Sequence, residues 1–411
     1  MASIAFRRPS CLRKLAAFAC VSLAASLTLP AAPAADPPGQ LVWFGTYTGG
    51  PAKSEGIYVA RFDAATGKFS APVLAGQAQN PSFLALHPTL PVLYAVSEVA
   101  DTGGKPTGEI ISFAIDEETG RLTLKNRQPS GGTSPCHLSV DRTGRVVLAA
   151  NFGSGSVICL GLDADGSLKP VVEGTPGGFI QHEGEAGASQ QKPVPRGHSI
   201  YPAPDGRFAL ACDLGLDKVF VHALDVGKAT LAPHRFAATK AGAGPRHFAL
   251  HPSGRFGYAV NEKDLTVTAF AFNPQAGTLA DLQTLSTLPA DVTDTKGMST
   301  AEIVAHQNGK FLYASNRGPD SIAMYAVDEP SGKLEFLGAE PIRGKTPRNF
   351  VIDPSGRFLL AGGQNSNTVT VFAIDPASGK LSFTGHALDV PTPVCIRFRP
   401  APTNSARTNT R

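Results

Sequence analysis

The chain is short of charge, of paired cysteines and of long apolar runs. Charged residues make up 17% of its 411 positions, against roughly 25% in an ordinary soluble domain. No block of like charge occurs, which excludes an acidic or basic tail. The formal charge of +4 comes from 37 basic and 33 acidic residues. Four of the basic ones, Arg7, Arg8, Arg13 and Lys14, fall in residues 1–35, where no acidic residue stands. The rest of the chain is therefore formally neutral, without the basic footprint of a nucleic-acid binder. None of the six cysteines forms a Cys-x-x-Cys pair, so neither a zinc cluster nor a dithiol motif is indicated. No stretch sustains a 3.6-residue apolar period, which excludes an array of helices.

The main apolar run, Leu15 to Leu29, follows those basic residues and precedes a small-residue stretch from Pro30 to Ala35. Basic, apolar, then A-x-A is the layout of a secretory signal. The run is short for a spanning helix, which needs about 20 residues. Residues 1–35 are expected to be a signal peptide cleaved after Ala34 or Ala35, leaving an exported chain with no membrane span. Cys136, Cys159, Cys212 and Cys395 then remain. The repeats below put them in different units, so four free, packed thiols are expected rather than disulfides.

Glycine and proline are plentiful, at 43 and 34 residues, and they punctuate a repeat. Each unit has a Pro-led apolar strand, a turn with Gly, a second strand ending in a polar residue, a third ending in Asp or Asn, and a fourth after another Gly. PRNFVIDPSGRF and PRHFALHPSGRF open two of the units. The third strand occurs seven times, ending at Asp63, Asp116, Asp163, Asp225, Asn273, Asp328 and Asp375, at intervals of 47 to 62 residues. Four strands at this period are blades of a β-propeller. LVWFGTYTGG lacks a preceding first strand, and Pro393 to Phe398 is a first strand with nothing after it. Together they make one blade, so residues 41–398 are predicted to form an all-β, seven-bladed propeller whose ring the two termini close. Residues 399–411 are expected to be a flexible tail.

In a propeller, the entries to the first strands and the ends of the second strands surround one mouth of the central channel. The entry pairs are Ser82-Phe83, Cys136-His137, His198-Ser199, Arg246-His247, Ala301-Glu302, Arg348-Asn349 and Val394-Cys395. Second-strand ends on that face include Asn151, Asp213, Asn261-Glu262 and Asn316-Arg317. Three histidines, two arginines, a carboxylate and an amide thus converge where a channel filler would be apolar. Guanidinium groups suit carboxylate or phosphate oxygens, imidazole or carboxylate can move protons, and a concave polar site is a ligand site by default. Catalytic candidates are Glu302, His137, Arg246 and Arg348. Substrate-binding candidates are His198, His247, Asn349, Asp213, Asn316 and Arg317. The same groups could instead tie blades together. His87 and His251, in turns at the other end, read as structural, and His222 in a third strand and His386 in a loop carry no functional reading. His182, Glu183 and Glu185 lie in the longest insertion, 169–195, either a lid over the mouth or a variable surface loop.

FGTYTGG, HSIYPAPDGRFALACDLGLDKV, GPRHFALHPSGRFGYAVNE, STAEIVAHQNGKFLYASNRG and PRNFVIDPSGRFLLAGGQNSNTVTVF resemble the propeller-type lactonases, a family that includes 6-phosphogluconolactonases and is related to 3-carboxymuconate lactonizing enzymes. The resemblance runs from about Leu41 to Phe398. It implies hydrolysis of a sugar lactone at the central channel, with no cofactor and no obligatory metal. It places site residues at His137, His198, Arg246, His247, Glu302 and Arg348. Water attack is the expected mechanism, with Glu302 or His137 as base and Arg246 or Arg348 as clamp on the oxyanion or substrate anion. No serine nucleophile is expected, since no G-x-S-x-G elbow occurs. The expected partner is a small lactone and the expected state a monomer. One alternative is a non-catalytic exported propeller binding a ligand or protein. Another is a metal-assisted lactonase in which His137, His198, His247 and Glu302 meet on a cation.

Overall fold

The protein is represented by a computed structural model that describes residues 1–3, 5, 39–171, 177–184 and 194–399. By compactness it divides into Met1–Asp36 and Pro37–Arg411, and the second unit carries all the described strands. The signal-peptide reading and the tail reading fall almost wholly outside the described residues.

The described strands form seven antiparallel sheets. Blade 1 joins the two ends of the chain: the innermost strand Pro393–Phe398 pairs with Gln40–Thr46, which pairs with Gly56–Asp63. Its outer edge is split into Lys68–Phe69 and Val73–Gln77. Blades 2 to 7 follow in order, with innermost strands Leu84–Leu86, Pro135–Val140, Gly197–Pro202, Pro245–Leu250, Ser299–Ala305 and Pro347–Ile352. The termini thus close the ring within one blade, the last strand of the chain supplying the innermost strand that the first lacks. Inside the predicted insertion, Phe179–Gln181 is the outer strand of blade 3, so that segment completes a blade. His386 stands within the outer strand Leu381–Asp389, not in a loop.

Neighbouring blades are held by a repeated set of bonds that explains much of the repeat's composition. Second-strand aromatics donate to the carbonyl of a turn glycine in the next blade. Trp43 Nε1 reaches Gly120 O at 2.9 Å, Tyr94 Oη reaches Gly166 O at 2.8 Å and Tyr313 Oη reaches Gly379 O at 2.8 Å. At the first turn the imidazoles serve the same end, with His87 Nε2 on Gly144 O at 3.0 Å and His251 Nε2 on Gly309 O at 2.8 Å. His306 repeats the bond on Gly356 O at 2.8 Å. These turn glycines sit at φ near +70°, where a Cβ is disfavoured, so glycine, carbonyl and donor recur as a set. Cys136, Cys159, Cys212 and Cys395 are buried and unpaired.

Candidate active site

Six of the seven innermost strands carry a register shift at their entry. In blade 4, Gly197 and Ser199 pair with Asp213 and Cys212, which leaves His198 as an extra residue. Arg246 in blade 5 and Arg348 in blade 7 are extra in the same way. Such a bulge re-aims a side chain and is common beside functional sites. In blades 4, 5 and 7 it adds a polar side chain above the residues that the two-residue alternation already turns inward, whereas the extra residue in blades 1 and 3 is Val394 and Cys136. The entry pairs therefore separate into two tiers.

The upper tier forms the mouth. His198 and Arg246 are buried, while Arg348 is half-buried. Arg246 Nη1 donates to Ala301 O at 2.8 Å and to His247 Nε2 at 3.1 Å, and its Nε lies 3.0 Å from Glu262 Oε2. Arg317 Nη2 lies 3.0 Å from the same Oε2 and donates to Thr300 O at 2.7 Å. One carboxylate oxygen thus holds two guanidinium groups, while Glu262 Oε1 has no partner among the described residues. Burial alone would raise the Glu262 carboxyl, but Arg246, Arg317 and Arg348 outweigh it and hold it below the usual carboxylate range. His198 is pushed well below an ordinary imidazole by burial and by Arg246, so it is neutral. Across the mouth, Arg348 packs 5.3 Å over the ring of Tyr47, whose hydroxyl donates to Glu98 at 2.9 Å. Ser82 Oγ donates to the same Glu98 oxygen.

The lower tier is sealed. His247 Nδ1 donates to Glu302 Oε1 at 2.8 Å, Asn349 Nδ2 donates to Glu302 Oε2, and the Ile396 amide donates to Asn349 Oδ1 at 2.8 Å. Ile303 N takes the remaining place on Oε1 at 3.0 Å. This belt links blades 5, 6, 7 and 1. Burial pushes His247 down to about 4. His137 is likewise lowered by burial and lies against Phe83, Tyr201 and His247, with ring centroids 4.2, 4.5 and 5.3 Å away.

This geometry corrects several expectations. Glu302 and His137 lie beneath the mouth, and both Glu302 oxygens are committed, which fits a positioning group better than a base. Replacing Glu302 by Ala strands the His247 and Asn349 donors in a buried site. Glu302→Ala is therefore expected to cost about 3 kcal/mol in urea unfolding, and a cost under about 1 kcal/mol would show the belt to be slack. Asp213 is fully buried and taken up locally. Its Oδ1 accepts the amides of Arg196, Gly215 and Leu216, at 2.8, 3.0 and 3.0 Å, and its Oδ2 lies 2.8 Å from His182 Nδ1. His182 in turn meets His222 at 3.3 Å, so it ties the insertion to blade 4 rather than facing the mouth. Glu185 lies outside the described residues. Asn316 Nδ2 bonds Thr287 O at 2.9 Å, as Asn151 bonds Ser130 O at 3.0 Å, a loop clamp repeated between blades. Both ring nitrogens of His247 are engaged with Glu302 and Arg246, so His137, His198, His247 and Glu302 are not arranged as ligands of one cation.

The sequence places Glu262 on this face without making it a candidate, and Glu98 and Tyr47 were not singled out. Each directly follows the polar end of its second strand, as Arg317 does after Asn316, so the signal was one register position along the same repeat.

A family model described as "Lactonase, 7-bladed beta-propeller" matches residues 41–398. The chain is 37% identical to a 6-phosphogluconolactonase of Bacillus subtilis over 359 residues, covering 87% of this chain and 97% of that protein. It is 34% identical to a 6-phosphogluconolactonase of Formosa agariphila, covering 72% of this chain and 82% of that one. Among solved structures, the periplasmic gluconolactonase of Pseudomonas aeruginosa superposes with a TM-score of 0.79 at 34% identity, covering 88% and 99% of the two chains. The chain belongs to the seven-bladed β-propeller lactonase family.

Proposed function

We propose that this protein hydrolyses the ring ester of a sugar lactone, of 6-phosphogluconolactone or aldono- and uronolactone type, at the mouth of its central channel. The observation that carries this reading is Glu262, ionised, fixed through one oxygen by Arg246 and Arg317 and free at the other, beside neutral His198. Water bound at Glu262 Oε1 attacks the lactone carbonyl and gives its proton to that carboxylate. The developing oxyanion is stabilised by Arg348 and Arg246, donors already held in place. As the ring C–O bond breaks, Glu262 returns the proton to the leaving ring oxygen, and the new carboxylic acid loses its proton to solvent. Neutral His198 adds a hydrogen bond to the water or to a sugar hydroxyl.

Residues 1–35 have the layout of an export signal, and a similar solved protein bears the name periplasmic gluconolactonase. Among the described residues no helix is long and apolar enough to cross a membrane. An exported enzyme would meet unphosphorylated aldonolactones, and the formally neutral chain beyond residue 35 has no long-range pull on phosphate. N-terminal sequencing of the protein recovered outside the cytoplasm should begin at Ala35 or Asp36; a start at the initiator region would overturn the export reading.

The test of activity is a pH-indicator assay of residues 36–411 against glucono-, phosphoglucono-, galactono- and glucuronolactones, with spontaneous opening subtracted. Acceleration of at least one lactone is expected, and no acceleration of any would sink the catalytic reading. Because the Glu262 carboxyl is depressed and His198 is neutral, kcat/KM should be flat across the interval of roughly pH 5 to 7 where an ordinary histidine titrates. It should fall only as acid begins to protonate Glu262. A sigmoid centred near 6.5 would assign the base to an unperturbed imidazole instead.

A further inference from the structure

Below the sealed tier the channel opens again into a cavity of about 250 Å³ that the reaction at the mouth does not use. Its walls are mainly apolar, from Leu84, Leu86, Leu138, Val140 and Phe398. Ser139, whose hydroxyl is spent on Ile200 O at 2.8 Å, and Tyr201 also line it, and two further polar groups stand out. Arg397, half-buried, is held by Nε on Leu84 O at 3.1 Å and by Nη1 on Ile396 O at 2.7 Å, with its guanidinium carbon 4.5 Å over the Phe83 ring. It has no ion-pair partner among the described residues, and the buried carboxylate that influences it, Glu302, has its oxygens engaged elsewhere. His137, only 1% exposed, is the second. Its Nδ1 accepts the Ile200 amide at 3.3 Å, so the ring proton must sit on Nε2. That Nε2–H is buried without an acceptor, a costly condition unless something accepts from it.

A cation fixed by two carbonyls, a neighbouring donor without an acceptor and an aliphatic wall together describe complementarity to an anion with an apolar body. We propose that the lower channel is a second binding site, separate from the mouth, for a small monocarboxylate with an aliphatic or aromatic body. The carboxylate pairs with Arg397 and accepts from His137, and the body lies along the leucine and valine walls. A single guanidinium with a neutral donor matches one negative charge. A polyhydroxy acid would find only the Ser139 and Tyr201 hydroxyls for its several hydroxyl groups, the rest of the wall being apolar.

Titration calorimetry with hexanoate tests this, using hexan-1-ol and gluconate as comparison ligands. Native protein should bind hexanoate saturably at one site per chain, with hexan-1-ol binding about ten-fold weaker or worse and gluconate displacing hexanoate only at about ten-fold higher concentration or more. Two substitutions from different blades should each weaken hexanoate about ten-fold or more: Arg397→Leu, which removes the charge, and Ala85→Phe, which fills the cavity. Arg348→Leu, at the mouth, should leave hexanoate binding as it is. Circular dichroism establishes that each variant is folded, and where one is not, the other decides. The proposal fails if hexanoate does not bind saturably, if hexan-1-ol binds as well, or if gluconate displaces hexanoate with comparable affinity. It also fails if a folded Arg397→Leu or Ala85→Phe protein keeps native affinity, or if Arg348→Leu abolishes binding.

Discussion

Glu262→Gln is expected to lower kcat for lactone opening by about 10²- to 10³-fold, within the range that a positioned general base contributes. The amide keeps the shape of the side chain and can still accept from Arg246 and Arg317, now 3.0 Å from the carboxylate. It cannot take a proton from water. It also removes the negative charge that Arg246 and Arg317 share, so the mouth becomes more positive. KM should therefore split by substrate: little changed for a neutral gluconolactone and lower for a phosphorylated one. That split separates loss of a base from general damage, which would raise both. Native-like kcat in Glu262→Gln would remove Glu262 from the chemistry.

Arg246→Met should reduce kcat/KM by about 10²- to 10³-fold, as loss of one preorganised oxyanion donor does. The thioether chain roughly fills the space but abandons Ala301 O, His247 Nε2 and Glu262 together. Lysine should not rescue, because one ammonium cannot make the divergent contacts of a guanidinium. The pH profile gives an independent sign. Arg246 is the largest of the charges holding the Glu262 carboxyl down against burial. Without it the carboxyl rises, so the acid limb of kcat/KM must move to higher pH than in the native protein. An unmoved acid limb would mean that the limb reports some other group.

The blade count and closure were legible because strand endings such as Asp63 and Asp375 recur in register with their turn glycines, and the repeat itself is what pairs as sheets. The ring of entry residues was legible for the same reason. What the repeat could not show is depth. Arg246 and His247 are adjacent in sequence, yet the bulge that leaves Arg246 unpaired puts one at the mouth and the other in a buried belt. Glu302 thus read as an accessible carboxylate, although its environment is bonded on both oxygens. Asp213 and Glu262 lie at neighbouring register positions in successive blades, and only the backbone turn decides that the first caps amides while the second meets guanidinium groups. His182 could not be placed at all, since nothing in an insertion announces a buried partner such as His222.

The most direct measurement is a crystal structure of the Glu262→Gln protein soaked with whichever lactone the native enzyme opens fastest. The intact lactone should lie at the mouth, its carbonyl oxygen within hydrogen-bond reach of Arg246 or Arg348 and its carbonyl carbon facing residue 262. A lactone bound away from the mouth, in the lower channel or on the outer surface, with the mouth unoccupied, would contradict the assignment of chemistry to this site.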